Sequence, residues 1–162
     1  MRGQDGGARK TGMSQSSDPP APPRFDPRAF FALRFPNHGS RLGVAHRDHG
    51  DDWSELELPW RADLVGQEET GVLASGPILA LMDMASSVAV WLKVGKFLPH
   101  ATLDLRIDYL RPARTGQTVI GRCECYRLTR SIAFVRGQAH DGDPADPLAH
   151  VAGTFMAAEG YW

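Results

Sequence analysis

The feature of this sequence that most limits its fold is an apolar segment over residues 70–92, TGVLASGPILALMDMASSVAVWL, whose only charged residue is Asp83. Its large apolar residues recur at intervals of three and four, which predicts an α-helix, and apolar residues on the other faces predict burial nearly all round. Ser75 or Gly76 can cap this helix, and Pro77 fits its first turn. A membrane span is the alternative, but the glycine, the proline, the central carboxylate and the lack of flanking basic clusters argue against it.

The segments on either side of the helix alternate between apolar and polar residues, which is typical of β-strands. Strands are expected over residues 41–46, 53–60, 102–109, 117–128, 131–140 and 148–157. In the strand after the helix, Thr102 is expected on the face opposite Leu103 and Leu105. The pattern predicts an α+β architecture, with one long helix across one face of an antiparallel sheet. One helix cannot also shield the sheet edges, so a second copy of the chain is the expected partner.

The N-terminal residues differ in composition from the rest of the chain. Residues 1–24 are rich in Gly, Ser, Pro and Gln and contain no apolar run of signal-peptide length, so we expect a disordered leader there. A single domain is expected over residues 25–162. Its first element is predicted to be a short helix that is capped by Asp26, begins at Pro27 and ends before Pro36.

Charge and cysteine content exclude several classes of protein. The formal net charge of −1 argues against a general binder of nucleic acid or of membrane surfaces, because both need a basic excess. The two cysteines, Cys123 and Cys125, share one face of a strand and cannot form a disulfide framework, which favours a cytoplasmic location. The six histidines are scattered without helical i, i+4 spacing, so no metal site is expected.

Asp83 is the strongest candidate for chemistry, and two interpretations of it remain open. A carboxylate in an apolar helix costs several kcal/mol unless it is paired, hydrated or at an interface. It therefore either pairs with a partner chain or lines a cleft as a general base or nucleophile. Gly76 lies two helical turns earlier on nearly the same face, where the free amides of the first turn can hold a polarised carbonyl oxygen. This spacing favours attack on a thioester or ester carbonyl.

Three segments occur in an order that resembles one known family. They are LPWRADLVGQEETGVLASGPILALMDMAS, ATLDLRIDYLRPARTGQTV and RLTRSIAFVRGQA. Together they resemble the hotdog-fold thioesterases of the phenylacetate-pathway type, over residues 41–157. The resemblance implies a long central helix wrapped by an antiparallel sheet of about five to six strands. It also implies a homodimer or homotetramer with the active site at the dimer interface, an acyl-CoA substrate and no separate cofactor.

The resemblance also implies a set of catalytic residues, and this sequence departs from the family pattern at the start of the helix. The matching positions are Gln67, Ser75, Gly76, Asp83 and Thr102. Asp83 matches the family's helix acid, Gln67 an Asn of the preceding loop, and Thr102 a hydroxyl of the next strand. The family's His-Gly-Gly helix start is Ala74-Ser75-Gly76 in this chain. The serine amide can still polarise a carbonyl, but its Cβ crowds the thioester and Pro77 removes one N–H.

Arginines in the strand connections are the expected contacts for CoA phosphates. In the resembling family, basic residues at these places meet the phosphates, and the guanidinium group binds phosphate oxygens bidentately. The candidates are Arg111, Arg114, Arg127, Arg130 and Arg136.

The expected function is hydrolysis of an acyl-CoA thioester, with Asp83 supplied across the dimer to activate water or to attack directly. A non-catalytic acyl-thioester or ligand-binding protein of the same fold is the alternative, because Ala74 and Ser75 replace His and Gly. A hydratase of this fold is disfavoured. Those enzymes pair the acid with a histidine a few residues later, and here none follows Asp83 until His100.

Overall fold

A computed structural model describes residues 23–162, so residues 1–22 of the expected leader lie outside it. The helices are α1 (Pro27–Ala32), α2 (His38–Leu42) and α3 (Ser75–Val94). The strands are β1 (Ala45–His49), β2 (Trp53–Leu58), β3 (Val65–Gln67), β4 (Val72–Leu73), β5 (His100–Tyr109), β6 (Val119–Leu128), β7 (Ile132–His140) and β8 (Ala149–Ala157). A short 3₁₀ helix covers Ala62–Leu64.

Six strands form one antiparallel sheet in the order β1-β2-β6-β7-β8-β5, and β3 and β4 form a separate small ribbon. The long helix α3 packs across one face of the large sheet, chiefly against β2, β6 and β7. The predicted α+β hotdog architecture is therefore confirmed. Both edges of the sheet, β1 and β5, lack a neighbouring strand within the described chain.

The core forms where the apolar side of α3 meets the alternating side chains of the strands. Leu81, Met82 and Ala85 are fully buried on the helix, and Leu56 is fully buried beneath them on β2. The hydroxyl of Ser54 donates to the carbonyl oxygen of Ala85 at 2.7 Å, so the one buried polar side chain of β2 is satisfied. By length and composition α3 could cross a membrane, but half of it is buried inside the protein, as is usual for a core helix.

The N-terminal elements differ from the expectation in one place. The helix α1 follows the prediction, since the Asp26 carboxylate accepts from the backbone N–H of Arg28 at 2.9 Å. The strand expected over residues 41–46 is wrong, because α2 occupies its first half and β1 begins only at Ala45. The cause is a reciprocal capping box between Asn37 and Ser40, which starts a short helix before the strand.

A bulge in β5 changes which side chains face the helix. The register with β8 shifts between Thr102 and Asp104, which places the extra residue at Leu103. Thr102 therefore faces α3 on the same side as Leu105, while Leu103 is 53% exposed. The expectation that Thr102 lies on the face opposite Leu105 is wrong, because strict alternation does not survive a bulge.

Close packing between β6 and β7 depends on a glycine. A Cβ added at Gly137 would lie 2.2 Å from the carbonyl oxygen of Arg122 and 2.7 Å from the sulfur of Cys123. The first contact is with backbone, which cannot move without disturbing the strand pairing. Any larger residue at Gly137 therefore forces the two central strands apart.

Gly137→Ala is expected to lower the free energy of unfolding by about 1–3 kcal/mol, the usual cost of overpacking. Urea unfolding followed by circular dichroism measures this. Ala152→Ser, on the exposed face of the adjacent strand β8, is the matched control and should change stability little. An unchanged unfolding midpoint in Gly137→Ala would contradict the packing described here.

Candidate active site

The only charged side chain of the apolar segment, Asp83, meets the edge strand β5. The hydroxyl of Thr102 donates to the Asp83 carboxylate at 2.9 Å. Asp83 is half-buried, on the side of α3 that faces away from the apolar core. The bulge at Leu103 makes this contact possible, because it turns Thr102 toward the helix.

The start of α3 offers backbone donors to an anion or a polarised carbonyl. Ala74 is the N-cap and has no side-chain cap bond, so the expected cap at Ser75 or Gly76 is wrong by one residue. Ser75 and Gly76 are both exposed, and a Cβ at Gly76 would meet no atom within 4 Å. The first amides of a helix have no intrahelical acceptor, and Pro77 has none to give. The donors are therefore the N–H groups of Ser75 and Gly76.

The far end of β5 holds the helix start in place. The hydroxyl of Tyr109 donates to the carbonyl oxygen of Ser75 at 3.1 Å. Burial raises the pKa of Tyr109, so the phenol stays protonated and remains a donor at neutral pH. Sequence reasoning missed Tyr109, although its place on the strand after Thr102 was visible.

The helix-start amides and Asp83 of one chain cannot act on the same carbonyl group. They are seven residues apart on one continuous helix, which is about 10 Å along its axis. A reacting carbon must lie roughly 3 Å from both the attacking group and the oxyanion donors. The expectation that the spacing of Gly76 and Asp83 favours attack on one carbonyl group is therefore wrong within a single subunit.

Gln67, the matched amide of the preceding loop, is exposed at the end of β3. Its side-chain oxygen accepts from the hydroxyl of Thr70 at 3.3 Å, and the backbone N–H groups of Thr70 and Gly71 donate to its carbonyl oxygen. These contacts stay within the turn over residues 67–71. Within residues 23–162 no hydrogen bond joins Gln67 to Asp83 or Thr102, so its catalytic role stays a prediction.

Two of the five candidate arginines are engaged by carboxylates of their own chain. The Arg111 guanidinium contacts Asp141 at 2.7 Å and Asp146 at 3.1 Å, and Arg114 contacts Asp141 at 3.3 Å and Asp146 at 2.7 Å. The backbone N–H of Arg114 also donates to Asp141 at 2.7 Å. This network fastens the connection after β5 to the connection after β7. The structure therefore gives Arg111 and Arg114 a structural task and leaves little of their charge for a phosphate.

The other three arginines lie on or next to the β6–β7 hairpin. Arg136 pairs with Glu124 at 3.2 Å and lies over the ring of Tyr126 at 5.2 Å. Arg127 and Arg130 are exposed, and in the described part of the chain neither forms an ion pair. Contact between any of these arginines and CoA stays a prediction.

His100 lies near Asp83, at the start of β5. Its ring packs against Trp91 at 5.1 Å and Phe155 at 5.3 Å between ring centroids. Burial lowers the pKa of His100, although the Asp83 charge acts in the opposite direction. Among the residues that the structure describes, its buried Nδ1 has no hydrogen-bond partner, and no group of three His, Cys, Asp or Glu side chains is arranged to hold a metal ion.

Comparisons with known proteins identify the family. The model of a family described as "Thioesterase superfamily" matches residues 70–147, which include α3, β5 and β6. A crystal structure of a Pseudomonas aeruginosa protein is 37% identical, with a TM-score of 0.71, over 80% of this chain and 94% of that one. Residues 70–147 thus match the thioesterase superfamily. The expected resemblance to hotdog-fold thioesterases is confirmed.

Further proteins are similar to this chain at lower identity. A crystal structure of a thioesterase from Haemophilus influenzae is 24% identical, with a TM-score of 0.70, and the match covers 82% of this chain and 90% of that one. PaaI of the Escherichia coli phenylacetic acid degradation operon shares the fold at 14% identity and a TM-score of 0.69, over 83% of this chain and 93% of that one. A curated Haemophilus influenzae protein named "Putative esterase" is 32% identical over 93 residues, which is 57% of this chain and 65% of that relative.

The arginine–aspartate network beside the site should make stability depend on pH. Hydrogen bonds from the Arg111 guanidinium hold the pKa of Asp141 down, from 3.8 to about 2. A lowered carboxyl pKa stabilises the fold fully above the unfolded pKa, and this stabilisation is lost as the pH falls through the folded pKa. We expect roughly 2 kcal/mol of unfolding free energy to disappear between about pH 4 and pH 2. Urea unfolding across that range measures it.

Asp141→Asn should be less stable than the unaltered chain at neutral pH and should lack most of this acid dependence. Glu159→Gln, an exposed carboxylate near the C-terminal end, is the control and should keep it. An equal acid dependence in Asp141→Asn and in the unaltered chain would show that another carboxylate is responsible.

Proposed function

We propose that this member of the thioesterase superfamily hydrolyses acyl-CoA thioesters in the cytoplasm, at two equivalent sites of a homodimer. The observation that carries the proposal is the Asp83–Thr102 pair on the open side of α3, at the level of the free sheet edge β5. The cytoplasmic location is supported by two free thiols, because cysteines that form no disulfide are typical of a reducing compartment.

The dimer is inferred from the exposed edge strand β5. This strand is ten residues long and carries apolar side chains that are about half exposed at Leu103, Tyr109 and the following Leu110. A long apolar edge strand of this kind is a template for pairing with another chain. Antiparallel pairing of two β5 strands around a two-fold axis extends the sheet and covers these side chains.

Such pairing completes the site, which one chain leaves divided. Thr102 touches Asp83 at one end of β5, and Tyr109 touches Ser75 at the other end. In a two-fold pair centred between these positions, the Thr102 end of one strand lies beside the Tyr109 end of its partner. Asp83 of one subunit then faces the helix-start amides of the other. In this dimer, Asp83 and the helix-start amides that act together come from different helices, so their separation of about 10 Å within one helix is no obstacle.

In the proposed reaction, the amides of Ser75 and Gly76 from one subunit hold the thioester carbonyl oxygen as it gains charge. Asp83 of the other subunit takes a proton from water, and the water oxygen bonds to the carbonyl carbon. Thr102 orients the carboxylate through its hydroxyl. The tetrahedral intermediate then breaks its C–S bond, and the proton passes to the departing CoA sulfur. Of the candidate arginines, we expect Arg127 and Arg130 to meet the CoA phosphates, because both are exposed and neither forms an ion pair within the described residues.

A binding protein without catalysis is the second candidate function. It is favoured by a single observation, that Ala74 and Ser75 stand where the resembling family has His and Gly. The exposure of Ser75 and Gly76, with open space next to Gly76, supports the enzyme instead, since a carbonyl can still reach both amides.

Asp83→Asn should lower the turnover of acyl-CoA thioesters by about 10²–10⁴, the usual contribution of a positioned acid or base. The loss should appear in kcat, because the amide keeps the shape of the side chain and its bond from Thr102. A steady-state assay with short aliphatic, long aliphatic and aryl CoA esters measures it. The control is Asp51→Asn, which changes an exposed carboxylate between β1 and β2, at the sheet edge opposite β5. Near-normal turnover by Asp83→Asn would refute the proposed mechanism.

Leu103→Lys should convert the assembly to monomers and abolish turnover, because it places a charge in the proposed β5–β5 contact. Light scattering should give at least twice the chain mass of 17.7 kDa for the unaltered protein and a single chain mass for the variant. The control is Leu33→Lys, which replaces an exposed leucine at the C-terminal end of α1 and should leave assembly and turnover intact. A monomer mass for the unaltered protein in dilute solution would contradict the shared site.

The double change Ala74→His with Ser75→Gly restores the family's helix start and separates the two candidate functions. For an enzyme, better access to the amides should raise single-turnover hydrolysis by up to roughly 10²–10³, with little change in affinity for the ester. For a binding protein, the same change should weaken binding and give no hydrolysis. Single-turnover kinetics and calorimetric titration with the same CoA ester distinguish the outcomes.

A further inference from the structure

A groove beside the middle of α3 is left unexplained by the proposed reaction. It has a volume of about 670 Å³ and lies between α1, α2, β1 and the side chain of Met84. Its apolar wall includes Phe30, Phe31, Phe35 and Val44. A concave site of this volume with an aromatic wall and a few polar groups is typical of a small-molecule site.

The groove comes close to Met84 because of a single glycine. A Cβ at Gly39 of α2 would lie 2.0 Å from the terminal carbon of Met84, so only a hydrogen atom fits between the two elements there. Met84 therefore forms the end of the groove nearest to the centre of α3. It follows Asp83 directly in the chain.

The polar side chains of the groove fall into two groups, those that form hydrogen bonds with other side chains and two arginines that do not. Asn37 and Ser40 bond to each other in the capping box, and His46 contacts His49 at 3.0 Å. Arg28 and Arg34 also line the groove, and within residues 23–162 neither side chain forms an ion pair or a hydrogen bond. A guanidinium group is positively charged and offers five N–H donors. The groove thus combines an apolar wall with two guanidinium groups that have no ion-pair partner within residues 23–162.

A path of small side chains links this groove to Asp83. Successive residues of a helix differ by 100°, so Asp83 and Met84 are separated by about 9 Å around the helix surface. Ala80 and Ser87 lie between them on the open side of α3, one turn below and one turn above. An acyl chain whose carbonyl carbon lies beside Asp83 can cross these two residues and enter the groove past Met84.

We propose that this groove receives the acyl group of the thioester, and that it selects a medium-length apolar acyl chain with a negatively charged distal end. The inference rests on the proposed function, because it takes the thioester carbonyl to lie at Asp83. The aromatic wall covers the chain, and Arg28 and Arg34 pair with the distal carboxylate. The substrate class is then the CoA monothioesters of dicarboxylic acids.

The test uses two CoA thioethers that cannot be hydrolysed and differ only in the distal charge, octyl-CoA and 7-carboxyheptyl-CoA. Calorimetric titration of the full chain should show that 7-carboxyheptyl-CoA binds about tenfold more tightly. The double variant Arg28→Gln with Arg34→Gln should bind both probes equally. Arg41→Gln, which changes an exposed arginine of α2 outside the groove, should keep the preference. Equal affinities of the unaltered chain for the two probes would overturn the proposal.

The methyl resonance of Met84, assigned with Met84→Leu, reports whether the probe enters the groove. It should shift when 7-carboxyheptyl-CoA is added. A Met84 resonance that stays in place with the probe bound would overturn the proposal. A resonance that shifts only with protein concentration would also overturn it, because a second copy of the chain would then occupy the groove. Binding with a Met84 shift but no hydrolysis of octanedioyl-CoA would refute the thioesterase function while supporting the acyl groove. Hydrolysis without the shift would do the reverse.

Discussion

The contact between α3 and one face of the six-stranded sheet is the interaction on which the rest of the structure depends. It buries the apolar side of the helix and leaves the opposite side, with Gly76, Ala80, Asp83 and Ser87, facing away from the sheet. Because the sheet is the principal cover for the helix within one chain, the single carboxylate of the segment can stay outside the core, where it accepts the hydrogen bond from Thr102 of β5. The same geometry leaves β5 as an open edge beside that carboxylate.

Because of this constraint, the two ends of β5 have different roles. One end orients Asp83 through Thr102, and the other holds the helix start through Tyr109. Because α3 is a rigid helix, Asp83 and the helix-start amides remain about 10 Å apart in each subunit. Two-fold pairing of β5 places the Thr102 end of each strand beside the Tyr109 end of its partner and so forms two equivalent sites. This explains how one short chain can supply both parts of such a site.

Much of the fold could be predicted from the sequence because its signals are local. The 3.6-residue period of α3, the period of two in the later strands and the Asp26-Pro27 helix start all depend on near neighbours in the chain. The bulge at Leu103 could not be predicted, since it depends on how β5 pairs with β8, fifty residues away. The helix α2 was missed although its capping box, Asn37 with Ser40, is readable in the sequence.

The candidate site was predictable only in part. Asp83 was evident as the one charge in an apolar helix, and Thr102 followed from the resemblance. The carboxylates that engage Arg111 and Arg114 come from a connection about thirty residues later, so no local pattern pointed to them. Tyr109 and the groove at Met84 likewise depend on contacts between elements that are distant in the chain.

The central claim is that each site takes Asp83 from one subunit and the helix-start amides from the other. Subunit mixing tests it most directly, with Asp83→Asn and Gly76→Val chains that are each inactive alone and are refolded together in equal amounts. A shared site predicts that mixed dimers regain one intact site of two, so that the mixture recovers about a quarter of the turnover of the unaltered protein. A mixture no more active than its parents would contradict the claim, because it would place both parts of the site in one chain.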